Sequence, residues 1–111
     1  MKLLRRTAVF LLFCLPATAL EGTPAWSELT ASMTRMHEAM STAKPSGDDD
    51  VDFVRLMLPH HEAALDMAKT ELLYGKDPQM KRLAQEIITD QQSEIELMRI
   101  WLKQHSQGTK P

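Results

Sequence analysis

From Pro24 to His105 the apolar residues return every three or four positions, and only Lys44-Pro45-Ser46-Gly47 and Gly75-Lys76-Asp77-Pro78 break the rhythm. A period near 3.6 on both sides of such turn chemistry restricts the chain to amphipathic helices with short connections, and no segment alternates with the period of two that a strand needs. Helices are therefore expected at about 24–42, 51–74 and 78–105. Thr23 before Pro24, the run Asp48-Asp49-Asp50, and Asp77 before Pro78 supply the starts. Each offers a capping oxygen, and each proline sits where a missing N–H costs nothing. Gly75 is expected to end the second helix in the left-handed conformation. The expected fold is all-α, an antiparallel bundle of three amphipathic helices. The first helix is the shortest and leaves apolar surface over, which a second copy of the chain would cover as a homodimer.

The start of the chain has the form of a secretory signal. Lys2, Arg5 and Arg6 make a basic opening, Ala8 to Leu15 an apolar run too short to span a bilayer, and Ala17-Thr18-Ala19 a small-residue cleavage site. This divides the chain into a signal peptide, 1–19, and a helical domain, 20–111, placed in the periplasm or outside the cell. Bulky Phe13 before Cys14 disfavours a lipid anchor. Cleavage removes three positive charges and no negative one, taking the formal charge from −2 to −5, too acidic for a nucleic-acid binder. It also removes the only cysteine while leaving seven of the eight methionines. The domain must then hold together without a disulfide in a compartment where disulfides are usual.

Against this background Met57-Leu58-Pro59-His60-His61 stands out. Proline inside a helix removes a backbone hydrogen bond and clashes with the carbonyl four residues earlier, at about 3 kcal/mol, so a kink or a restart is expected. Two adjacent histidines diverge by about 100° on a regular helix, and a kink would let both serve one ion. Met57 is one turn from both histidines, and His60 and Met67 are two turns apart on one face. On the first helix Met33, Met36, His37 and Met40 share an arc of about 100°. Met98 or Met80 offers a donor from the third helix, where Gln91 and Glu94 intrude on an apolar stripe. These two would accept the free N–H of a ligating imidazole, or simply reach out from the stripe edge.

Thioether and imidazole together favour Cu(I) over zinc, which prefers thiolate, imidazole or carboxylate. Outside the cytoplasm a thioether has the further advantage of being unable to form a disulfide. The plainer alternative is that methionine is a flexible filler of helical cores, and that His37 and His105 are a buried histidine and a helix C-cap.

The stretch Asp52-Phe53-Val54-Arg55-Leu56-Met57-Leu58-Pro59-His60-His61, with Ala63-Ala64, Asp66-Met67-Ala68 and Tyr74-Gly75-Lys76-Asp77-Pro78, resembles a family of exported bacterial helical proteins long classed as a domain of unknown function. That family is placed near the ferritin-like folds and has CopM-like copper-binding members. The likeness continues through Leu83-Ala84, Ile87-Ile88, Gln91, Glu94-Ile95, Met98 and Trp101-Leu102, with Met36-His37-Glu38-Ala39-Met40 upstream. It implies copper binding and tolerance in the periplasm, with His60, His61, Met57, Met67 and the first-helix cluster at matching positions. The ferritin-like kinship does not extend to a di-iron centre: the chain has no Glu-x-x-His, and His61-Glu62 is followed by Leu65 where His-Glu-x-x-His needs histidine. No nucleophile constellation is present in the sequence either, so the chain is read as a binding protein and not an enzyme.

The sequence thus favours a protein that sequesters or carries Cu(I), exchanging it with a periplasmic copper-handling protein. The competing reading is a helical interaction module or periplasmic chaperone whose methionine-rich face takes apolar segments without metal.

Overall fold

The structure is a computed structural model, and residues 22–105 are described. The expected signal segment, 1–19, lies outside them. Three helices follow one another: α1 (Pro24–Ser41), α2 (Asp49–Tyr74) and α3 (Pro78–His105), with no strand among the described residues. Each start is capped as its sequence dictates. Thr23 Oγ1 accepts from Trp26 N at 3.2 Å, Asp48 Oδ1 from Asp50 N and Val51 N at 2.9 and 3.1 Å, and Asp77 Oδ1 from Gln79 N and Met80 N at 2.9 and 3.0 Å. A carboxylate there also meets the positive end of the helix dipole.

The helix end at Gly75 differs from expectation. Its φ of −66° and ψ of 155° are extended, not left-handed, and its N–H bonds to Glu71 O at 2.8 Å. Glycine is needed there for closeness: a Cβ would lie 2.6 Å from the Glu71 carbonyl oxygen and closer still to its carboxylate. Left-handed backbone occurs instead at Gly47, with φ of 90°, in the connection from α1 to α2.

At Pro59 there is no helix restart, because α2 runs as one element from Asp49 through it to Tyr74.

Helix α2 is the middle of the structure. Both α1 and α3 pack along it, antiparallel to it, and among the described residues they form no helix pair with each other. On the α1 side Arg35 reaches Asp66 at 3.0 Å, and Glu28 accepts from Thr70 Oγ1 at 3.3 Å and from the Tyr74 hydroxyl at 3.1 Å. On the α3 side His61 meets Glu94 at 2.6 Å and Arg99 pairs with Glu62. Buried apolar residues are few and mostly small: Val51, Val54, Ala63, Ala68, Ala84 and Ile95. Alanines let helix axes approach closely but bury little area each, so this core is thin. Trp26, Phe53, Leu73 and Leu97 are all more than 60% exposed.

Candidate metal centre

An open groove of about 360 Å³ runs along α2 where α1 and α3 flank it, lined by Leu29 from α1, by Ala64, Met67 and Ala68 from α2, and by Met80, Leu83 and Ile87 from α3. At about 100° per residue, Met33, Met36 and Met40 fall on the Leu29 side of α1, Met57 and His60 on the arc of Ala64 and Met67, and Met98 in line with Met80 and Ile87. The interhelix pairs fix the levels. Arg35–Asp66 and Glu28–Thr70 set Met33 level with Met67 and Met40 level with His60, while His61–Glu94 sets Met57 level with Met98. Met40, Met57, His60 and Met98 therefore stand within about one turn of a common level on three helices, beyond the Ala64 end of the groove, with Met33 and Met67 two turns below; of these six, Met67 lines the groove.

The remaining candidates separate. Met36 lines the α1–α2 seam with Ser32, Ala39, Pro59 and Ala63, which gives it a packing role. His37 is exposed. Met80, the other donor the sequence offers on the third helix, lines the groove and is 48% exposed.

The two histidines behave differently. His60 is exposed and makes no side-chain hydrogen bond among the described residues. The His61 side chain is mostly enclosed, and both of its nitrogens are engaged: Nδ1 bonds to Met57 O at 3.0 Å and Nε2 lies 2.6 Å from Glu94 Oε2. A carbonyl only accepts, so Nδ1 carries the hydrogen there and Nε2 is the nitrogen left to meet Glu94. Helix α2 runs without a break through Pro59, and the two histidines next to it stand in two different environments. Glu94 was expected either to accept the spare N–H of a ligating imidazole or simply to reach out from the stripe edge. The Met57 carbonyl accepts that N–H, and Glu94 stands at the nitrogen a metal would use.

Gln91, one turn before Glu94 on α3, has a buried side-chain oxygen with no hydrogen-bond partner among the described residues. Such an acceptor forgoes about 1–3 kcal/mol. Among the described residues no three His, Cys, Asp or Glu side chains gather as a metal cluster. An ion held in this groove would therefore draw on thioether or amide donors as well.

Away from the groove, hydrogen bonding from the Ser46 side chain and backbone holds the Asp52 carboxyl below the usual carboxylate range. Donation to Glu28 pushes the Tyr74 hydroxyl up. His105 caps the last turn, Nδ1 bonding to Trp101 O at 2.8 Å with its ring stacked on the indole at 3.9 Å. No helix among the described residues is long and apolar enough to cross a membrane.

The family profile of the Domain of unknown function (DUF305) matches residues 18–110. This chain belongs to that family. The DUF305 match covers all three helices and the whole groove. A stretch of 50 residues, 45% of the chain, is similar to "Uncharacterized protein L153" of Acanthamoeba polyphaga mimivirus at 44% identity. The matched stretch spans about a third (33%) of that viral protein's length.

Proposed function

We propose that this DUF305 protein is an exported copper-binding protein, CopM-like in character, which holds Cu(I) through thioether and imidazole donors and contributes to copper tolerance or homeostasis in the periplasm. The observation that supports the reading is the axial register that sets Met40, Met57, His60 and Met98, from three helices, within about one turn of a common level beyond the Ala64 end of the groove. Packing alone requires no exposed imidazole at that point. Soft donors from separate elements suit an ion that accepts few ligands and mixed geometries. In this reading His60 is the principal nitrogen donor, Met57, Met40 and Met98 the thioethers beside it, and Met33 with Met67 a second thioether pair along the groove. The chain binds and transfers the ion and catalyses nothing.

The test is anaerobic competition between the full chain and a chromophoric Cu(I) chelator. Replacing His60 by alanine together with Met57 by leucine is expected to weaken Cu(I) binding at least tenfold while leaving the helical signal intact. Unchanged affinity would refute the reading.

One observation favours the second reading, a metal-independent interaction module or chaperone. The lower groove, from Leu29 to Ile87, is predominantly apolar and open. That reading predicts that apolar peptides bind with equal strength in the presence and absence of copper.

A further inference from the structure

The His61–Glu94 contact has the layout of a ligating histidine with a carboxylate in place of the ion. Nδ1–H is tied to a main-chain carbonyl, Met57 O at 3.0 Å, which fixes the ring's tautomer and rotation. Metal-bound histidines use this arrangement to present the other nitrogen. That nitrogen, Nε2, lies 2.6 Å from Glu94 Oε2, where two lone-pair atoms need a proton or a cation between them. Half of the Glu94 side chain is open to solvent (52%), so an ion could enter and complete its coordination with water. On the same face of α3, one turn away, the side-chain oxygen of Gln91 is buried with no donor among the described residues. A cation held beside Glu94 would give that acceptor a partner.

We propose that His61 Nε2, Glu94 Oε2 and Gln91 Oε1 form a second cation site, built of nitrogen and oxygen donors, that takes a borderline divalent ion, Zn(II) or Cu(II). It shares no donor with the thioether cluster, although Met57 and Met98 lie one turn from His61 and Glu94. Imidazole, carboxylate and amide donors are the wrong set for Cu(I) and the right set for these ions, which replace the proton shared by His61 and Glu94. The site crosses from α2 to α3, so loading it clamps the two helices together. The inference does not depend on the Cu(I) reading, because no methionine side chain is a donor in it.

Zn(II) is the discriminating probe, being redox-silent and a poor partner for thioethers. Isothermal titration of the full-length chain with Zn(II) is expected to show one saturable site per chain and a rise in melting temperature. Glu94→Gln keeps a hydrogen-bonding group and the side-chain size but is expected to lower Zn(II) affinity at least tenfold, and Gln91→Leu to lower it severalfold. His60→Ala and Met57→Leu should leave it unchanged. Cu(II) should give an electron paramagnetic resonance spectrum with coupling to a single imidazole nitrogen, lost in His61→Ala. No saturable Zn(II) binding by a folded chain, or binding abolished by His60→Ala and untouched by Glu94→Gln, would overturn the proposal. Anaerobic Cu(I) competition on the same Glu94→Gln protein keeps the two readings apart, since it should be unaffected there.

Discussion

At the scale of single residues, neighbours identical in kind differ in what surrounds them. His60 has no side-chain hydrogen bond among the described residues, while His61 holds α2 to α3 through Glu94 and back to its own helix through Met57 O. The two alanine variants should therefore part company. His60→Ala should leave thermal stability within about 0.5 kcal/mol, as surface changes do. His61→Ala should cost about 1 kcal/mol, because it removes a partly screened interhelix bond and opens a gap beside Met57. Chemical denaturation of both variants checks this. Asp52 offers a test in pH. Its carboxyl is held low by Ser46, so its contribution to the α1–α2 connection is fully present above the ordinary carboxylate range and is lost as pH falls through the lowered folded value. In an NMR titration Ser46→Ala should return the Asp52 midpoint part of the way toward its usual value, because the backbone N–H remains at 2.9 Å.

At the scale of elements, the ends of the helices are set by local chemistry and their middles by neighbours. Asp77 alone caps two N–H groups at the start of α3, and Asp77→Ala should destabilise the fold by about 1 kcal/mol, read by urea denaturation. Pro59 is the opposite case, since α2 continues past it and bears the penalty of a proline without using a break. Pro59→Ala is accordingly expected to raise stability by about 1–3 kcal/mol and to leave the separation of His60 from His61 unchanged. A variant that loses stability would show that the surrounding packing depends on the proline ring. The spans expected from periodicity agree with α1, α2 and α3 to within two residues at every end. Capping and turn residues act within one turn of chain, and are therefore readable there. Gly75 was readable as a stop and not as a conformation, because its constraint is the approach of Glu71 rather than the sign of its own φ.

At the scale of the whole molecule, the arrangement is α1 and α3 on a central α2, with a thin alanine-rich core between them and a methionine-lined groove along one side. Ala68 and Ala84, which are 5% and 3% exposed, form the floor of the groove where the helices approach, and a larger residue at either would fill the groove or push the helices apart. Ala84→Leu should destabilise the fold by about 1–3 kcal/mol and disturb the groove with it, so Cu(I) and Zn(II) binding should both fall while stability falls. The sequence by itself determined three helices, their limits, their caps and a set of donors on recurring faces, because each follows from a periodicity or from bonds within a few residues. It also singled out Glu94 and Gln91 as polar intruders on an apolar stripe. The tertiary structure alone decided which donors stand level with one another, that His61 belongs to Glu94 while His60 has no such partner among the described residues, and that Pro59 passes unbroken through α2. Those outcomes depend on the axial register of α1 and α3 against α2, fixed by Arg35–Asp66, Glu28–Thr70 and His61–Glu94, and contacts between residues 31 to 42 positions apart leave no local pattern to read.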